Sequence, residues 1–550
     1  MDQSKDRTNS LENQRIAVAE RRRSEGDLVG ALTMLRNLED DGCKNTEVIA
    51  QIGAVYFDME LYEQSLEYWF KYLASSDTAK VKMRAYSAIS ACFCMIGDFR
   101  SMAFYAELEF ALDPKTPQEY DRVLTDYYDY VYDVMGGGYY VSYPETKIPA
   151  RRLMYEADGF MDEKKYDEAA DKFSLVQKSS EYYGEARFKM AKCLYLEEKY
   201  DEYGKVLTEL IADCPEDAFA NMAYGFYMLD AGQYDEGAYY LKKASEGELF
   251  DEEDYFRIAR DLCEIGREND AFLPLERALE INCYYLQALY YYGLLTFNTG
   301  DYETAARYFK TVYQLSDVPV AKLYYEYAEK KIPTVLEYSF DPSDEVMNAK
   351  LADIIYVAEN GKKAVPSLGE SELSDLFEWA LFLEDNVVNE FIGALLQFGS
   401  TKIRNNILKK MFSVKLTTEC KLNIIEQMIL SDVNKKISFV AENLLVRVNL
   451  VVGDFEGGKK SVIKRAYAFA AARTCIFESD LTKLRDVAYD IHEKLKDNGM
   501  LKKANDHKAL ACIIAVKSGL DAKDKSIYRL FFDTSEKKVE KMLALIEGET

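Results

Sequence analysis

Two histidines in 550 residues is the first shortage with a consequence. His492 and His507 stand in charged helical stretches, "YDIHEKLKDN" and "ANDHKALAC". No Cys or carboxylate spacing around them suits zinc, so they are expected at the surface. No Ser-His-Asp arrangement is visible along the chain. Proline is scarce, 10 of 550, and no block rich in β-branched residues with regular turns appears, which argues against an all-β fold. No apolar run approaches the roughly 18–20 residues that a membrane span needs. The first residues, "MDQSKDRTNSLENQ", are polar and do not read as a secretory leader. The ten cysteines form no C-x-x-C or Cys/His cluster, and Cys92 and Cys94 lie only two apart. Several, such as Cys193 and Cys263, fall where small packing residues are wanted. They are expected to be reduced thiols in a cytoplasmic protein.

What the chain has instead is repetition. "KYDEAADKF" at 165–173, "KYDEYGKVL" at 199–207, "QYDEGAYYL" at 233–241 and "GDYETAARYF" at 300–309 are near copies. Tyr166, Tyr200 and Tyr234 stand 34 residues apart, and Tyr302 stands 68 beyond Tyr234, twice that spacing. The missing copy falls at Glu268, in "EIGRENDAFLPLERALEI". A period of 34 is the length of a two-helix unit, and such units bury their apolar faces by stacking on neighbours.

Residue by residue, the register resembles the tetratricopeptide repeat family. The small residue of position 8 is Ala157, Ala191, Gly225, Ala259 and Gly293 in successive units. Position 20 reads Ala169, Tyr203, Gly237, Ala271 and Ala305, and position 24 reads Phe173, Leu207, Leu241, Leu275 and Phe309. Tyr203, where Ala belongs, and Thr296, where an aromatic belongs, depart from the pattern. Upstream the register is looser, with turns at Gly26-Leu28, Tyr62 and Gly97-Phe99. The resemblance implies an all-α fold: a right-handed α-solenoid over 1–338, followed by a second all-helical region over 344–550. Units are expected near 13–42, 46–79, 83–116, 150–183, 184–217, 218–251, 252–285 and 286–319. A degenerate unit occupies 117–149, and a closing helix spans 320–333.

Charge divides the chain at the same place. Residues 1–340 hold 38 Lys+Arg against 63 Asp+Glu, whereas 341–550 hold 31 against 32. Only four of the 43 tyrosines lie beyond 340. The stretch "SFDPSD" at 339–344 is the expected boundary. Beyond it, "SELSDLFEWALFLED", "NVVNEFIGALLQFG", "STKIRNNILKKMFSV" and "TTECKLNIIEQMILSD" read as short amphipathic helices. They are loosely similar to HEAT-like helical hairpins.

Two stretches invite chemistry. "GDFEGGKKS" at 453–461 matches a phosphate-binding loop at Gly453, Gly458 and Lys459, but Lys460 stands where the magnesium-binding hydroxyl belongs. The preceding "LLVRVNLVV" reads as a helix face through Leu444, Val448 and Val452, so a helix-hairpin turn is expected. "VMGGGYYVSYPETKIPA" at 134–150 breaks the helical pattern and reads as a surface connection or a binding loop.

In the family it resembles, positions 2, 5, 9 and 12 of each first helix line a concave groove. Here those positions give Phe188, Lys192 and Tyr195, then Phe219, Met222, Phe226 and Leu229. They continue with Phe256, Arg260 and Cys263, then Tyr290, Leu294 and Phe297. An aromatic groove of that kind either binds a partner or is covered by another part of the chain. Position 9 reads Ala54, Lys192, Phe226, Arg260 and Leu294. It carries no Asn, unlike the family's co-chaperones, which clamp a peptide carboxylate. The acidic repeat half would repel nucleic acid. The expectation is a non-catalytic scaffold without cofactor or metal, binding a protein or peptide through the groove, with the acidic rim favouring a basic one. The competing expectation is an enzyme or regulator with its site in the C-terminal helices. A peptide receptor that regulates DNA is a third, but it would carry an N-terminal helix-turn-helix where this chain has a repeat helix.

Overall fold

The computed structural model describes residues 2–112, 149–249, 251–316, 318–383, 387–433, 435–458, 461–477, 480–520, 528 and 530–548, with side chains from Glu12 onward. The degenerate unit and nearly all of the glycine- and tyrosine-rich stretch lie outside the described residues. Packing divides the chain into two compact units, one made of 1–115 with 344–550, the other of 116–343. The expected division assigned all of 1–338 to one solenoid. In this division residues 1–115 pack with 344–550.

The first unit opens with three helix pairs: α1 (Asp2–Ser24) and α2 (Leu28–Asp40), α3 (Thr46–Asp58) and α4 (Tyr62–Ser75), α5 (Ala79–Ile96) and α6 (Phe99–Leu112). The second unit stacks five more: α7 (Pro149–Asp162) and α8 (Tyr166–Ser174), α9 (Tyr183–Leu196) and α10 (Tyr200–Asp213), α11 (Ala218–Asp230) and α12 (Tyr234–Glu246), α13 (Glu252–Glu264) and α14 (Glu268–Ile281), α15 (Leu286–Asn298) and α16 (Tyr302–Ser316). It closes with α17 (Pro319–Glu329). Every residue that the period marks after a turn is the first residue of its second helix: Leu28, Tyr62, Phe99, Tyr166, Tyr200, Tyr234, Glu268 and Tyr302.

The turn itself recurs in the same form. Gly26, Glu60, Gly97, Lys164, Glu198, Gly232, Gly266 and Gly300 all hold left-handed φ, from 58° to 87°. The Gly300 N–H donates to Phe297 O at 3.0 Å and the Asp301 N–H to Thr296 O at 2.8 Å. That pair of bonds satisfies the last carbonyls of the first helix and redirects the chain into the second.

Within a pair, positions 8 and 24 meet. A Cβ on Gly225 would lie 2.7 Å from Leu241 Cδ2, and one on Gly293 2.8 Å from Phe309 Cε1. Phe173, Leu241, Leu275 and Phe309 have no exposed surface, and each contributes on the order of 1.5–3 kcal/mol of burial. Tyr203 turns its ring to Tyr195 and Tyr227, at 5.5 and 5.6 Å. The close approach passes to Gly204, where a Cβ would lie 2.6 Å from Tyr227 Oη. Thr296, in the aromatic's place, is buried and donates its hydroxyl to Tyr292 O at 2.8 Å.

The remainder of the first unit holds α18 (Asp344–Ser367), α19 (Glu370–Leu383), α20 (Val388–Phe398), α21 (Thr401–Lys410) and α22 (Thr418–Leu430). The strands β1 (Lys436–Ala441) and β2 (Leu444–Asn449) follow, then α23 (Val462–Thr474), α24 (Thr482–Asp497), α25 (His507–Ser518) and α26 (Glu536–Glu547). Among the described residues the fold is all-α apart from that one antiparallel hairpin. Leu444 and Val448 therefore lie on a strand, not on a helix face. Ile437, Phe439 and Val448 point inward along the hairpin, and its turn is Glu442-Asn443, both residues left-handed at φ 46° and 60°. Two such residues make the turn whose twist matches paired strands.

The hairpin explains why 1–115 packs with the C-terminal region. Tyr105 Oη donates to Asn443 O at 2.6 Å, Asn443 Nδ2 to Asp98 Oδ2 at 2.9 Å, and Arg447 Nη2 to Leu73 O at 3.0 Å. Lys415 pairs with Glu63 and Lys409 with Glu39 nearby.

Candidate partner-binding surfaces

The inner positions of the second unit fall into two sets. On α9 and α11 the face is partly open: Lys192 is exposed, Tyr195 is 49% exposed, and Phe188 and Phe226 are half-buried. The Arg257 guanidinium lies 5.0 Å from the Phe226 ring centre. Phe219 and Met222 point into the stack and are buried. On α13 and α15 the face is closed. Phe256, Tyr290, Leu294 and Phe297 are buried, and Arg260 is half-buried on its own helix beside Asp261 and Glu264.

The cover is the chain's own segment 332–343. Asn298 grips the backbone of Leu336 at two points: its Nδ2 donates to Leu336 O, and Leu336 N–H donates to its Oδ1, each at 2.8 Å. Tyr291 Oη donates to Tyr338 O at 2.9 Å. The Phe340 ring stacks on Tyr290 at 5.3 Å and packs near Tyr291 and Phe256 at 5.3 and 6.3 Å. Leu336 is buried. Phe256 and Tyr290 are core beneath this segment, so the inner rings from Phe188 to Tyr290 do not form one open stripe. Its cover is the connecting segment rather than the first C-terminal helices. Sequence reasoning missed it because 334–340 has no periodicity.

The open part is acidic. Burial, and then the neighbouring Asp251, push the Asp254 carboxyl up to about 6 against the pull of Arg257 and Lys192. Burial and Asp261 raise Asp230, and burial and Asp158 raise Asp162. Desolvated carboxylates beside like charges disfavour ionisation until a cation arrives.

A second hollow, which the sequence reading did not single out, lies in the first unit. A cavity of about 760 Å³ is lined by Ala54 and Phe57 of α3 and by Arg84, Ser87 and Ala91 of α5. These are the same inner register positions. Trp69 also lines it, with Arg23, Lys80 and Glu109. The signal was present: small residues at positions 5 and 9 leave the space that Tyr290 and Leu294 fill in the last pair. Arg84 is held by Glu47 through two bonds of 2.7 and 3.0 Å, and its guanidinium lies 5.8 Å from the Trp69 ring.

The loop 453–461 joins a strand to a helix rather than two helices. Phe455 is buried in it, 4.6 Å from the Tyr489 ring, where a phosphate cradle would be hollow. Lys459 and Lys460 lie outside the described residues. Of the two histidines, His507 is half-buried and His492 is not at the surface. His492 is buried near Phe455, and burial with Arg465 and Lys508 pushes His507 down to about 4. Among the described residues no group of three or more His, Cys, Asp or Glu could hold a metal. Burial pushes the Cys92, Cys475 and Cys512 thiols up to about 12 and Cys193 to about 11, which leaves them protonated and unreactive. No helix among the described residues is long and apolar enough to cross a membrane.

No family model and no curated protein matches the chain. Solved structures similar to it include the Cut9–Hcn1 hetero-tetramer of the APC/C, at 12% identity over 72% of this chain and 89% of that one, TM-score 0.23. Yeast Tom70 is similar at 10% identity over 90% and 99%, TM-score 0.26. Naa15/Naa10 bound to HypK-THB is similar at 12% over 98% and 100%, TM-score 0.24. Likeness at such scores carries no argument, and the repeat assignment stands on the register and packing of the chain itself. By that register, the chain is a helical-repeat protein built from tetratricopeptide-like hairpins.

Proposed function

We propose that the protein is a non-catalytic scaffold that binds partner segments on the inner faces of its repeats. The observation that carries this reading is the partly open face of Phe188, Lys192, Tyr195 and Phe226, with the raised carboxyl of Asp254 near enough to interact with Lys192 and Arg257. Rings supply anchors, and the carboxylates favour a basic segment. Lys192 on α9 and Arg257 on α13, over the Phe226 ring, limit that preference to positions away from these two cations. The acidic character of the unit makes association weaken with salt.

The test is panning of a displayed random 12-residue peptide library against the full chain. Enriched sequences should carry net positive charge with at least one large apolar residue, and should lose at least about tenfold in affinity on Phe226→Asp. Enrichment of acidic sequences that ignore Phe226 would overturn the reading for this unit. A second reading has its own observation: the first unit's hollow sets Phe57 and Trp69 beside Ala54, Ser87 and Ala91, so it suits an apolar side chain of a partner.

A further inference from the structure

The groove on α13 and α15 already holds a ligand, and that ligand is part of the same chain. We infer that residues 334–340 occupy a genuine peptide site as an intramolecular stand-in. The site takes, from a partner, a non-helical segment with an aliphatic residue and an aromatic residue four positions later. This rests on the inner-face reading but lies on a different pair of helices.

Three features separate this segment from ordinary loop packing. First, Asn298 offers one donor and one acceptor, and both go to the backbone of a single residue, Leu336. A side-chain amide that grips N–H and C=O together recognises a backbone whatever its side chain. The second backbone contact, from Tyr291 Oη to Tyr338 O, continues the track. Second, specificity resides in two anchors. Leu336 is buried, and the Phe340 ring enters a cradle of Phe256, Tyr290 and Tyr291. Backbone bonds for affinity with side-chain pockets for selection is how extended peptides are commonly held. Third, the segment is lightly attached. Val335 is 79% exposed and Phe340 44% exposed, and no regular element runs from 331 to 343. The left-handed Lys331 and Pro333 end the preceding helix, and Pro342 precedes α18.

The buried Tyr290 hydroxyl has no hydrogen-bond partner, and burial raises its pKa strongly.

Because the segment is tethered, its effective concentration is on the order of millimolar. A free peptide of equal affinity therefore competes poorly until the tethered copy is weakened. The probe is a fluorescein-labelled synthetic peptide Pro-Thr-Val-Leu-Glu-Tyr-Ser-Phe-Asp, copied from residues 333–341. It is titrated by fluorescence anisotropy against the unaltered full chain, Phe340→Ala, and Leu336→Ala with Phe340→Ala. The expected result is saturable binding to the variants, at least about tenfold tighter than to the unaltered chain, and its loss when Asn298→Leu is added. Circular dichroism identifies variants that stay helical, and Phe340→Ala, altering a partly exposed ring, is the one least prone to misfold. Failure of the peptide to bind a helical Phe340→Ala chain would overturn the inference. So would binding that ignores Asn298, or equal binding to the unaltered chain. None of these results bears on the selection at Phe226, so the two readings fail separately.

Discussion

Gly293 shows what one absent carbon does. Its missing Cβ leaves room for the Phe309 ring, and Ala305 makes the matching concession on the second helix. Ala305→Leu should overpack that crossing and cost about 1–3 kcal/mol, read as a lowered midpoint in urea with an unchanged slope. The turn residues make a subtler case. Glu198 holds φ 58° where Gly232, Gly266 and Gly300 stand in the equivalent places. A side chain in that region costs about 1–2 kcal/mol, partly offset by the greater unfolded-state freedom of glycine. Glu198→Gly should therefore raise stability by up to about 1 kcal/mol, whereas Gly266→Ala should lower it by about 1 kcal/mol. Equal effects of the two changes would contradict the common turn. Asp254 gives a pH signature. Its folded pKa, about 6, lies above the ordinary carboxyl value of 3.8, so the folded state holds the proton more tightly. The penalty for ionising it grows as pH rises from about 4 to 6 and is complete above. Asp254→Asn should raise the melting temperature at pH 7.5 and leave it unchanged below pH 4.

Helices and strands were not equally legible. The second helices of the repeats could be placed to the residue, because a turn, a small residue and a large residue recur at fixed offsets. The four C-terminal helices between 370 and 430 were readable from apolar spacing, and two of them carry caps that the spacing did not name: Ser400 accepts from Ile403 N–H and Thr417 from Cys420 N–H. The hairpin was not readable. "LLVRVNLVV" satisfies both a four-residue and a two-residue spacing, and the deciding turn, Glu442-Asn443, contains no glycine. That hairpin also buries a charge. Lys421 is 2% exposed, and its ammonium donates to Val440 O at 2.7 Å. Burial pulls its pKa from 10.5 down to about 8. The folded state thus binds fewer protons than the unfolded between those values, and stability should rise with pH there by up to roughly 3 kcal/mol. Lys421→Met should abolish this rise, as measured by urea melts from pH 7 to 10.5.

For the whole molecule, the charge boundary near 340 marked where the acidic repeats stop but not which parts pack together. Long-range partners such as Tyr105 with Asn443 leave no trace in local spacing. A chain ending at Ser343 would remove β1, β2 and α21 from beneath the first three helix pairs while leaving 116–343 whole. It should melt in two steps, with faster amide hydrogen exchange in α4 to α6 and unchanged exchange in α11 to α16. A single cooperative transition would speak against the division. The site was legible in outline only: the register named the inner positions, but which of them stay open depends on residue size and on the segment 332–343. The central claim is that partners bind on the inner faces, and site-specific photocrosslinking tests it most directly. A benzoylphenylalanine replacing Tyr195, on the open inner face of α9, is compared with one replacing Tyr239, 62% exposed on α12. The account predicts discrete salt-sensitive adducts from position 195 that disappear with Phe226→Asp, and none of these from position 239. Adducts of equal yield from both, or from 239 alone, would contradict it.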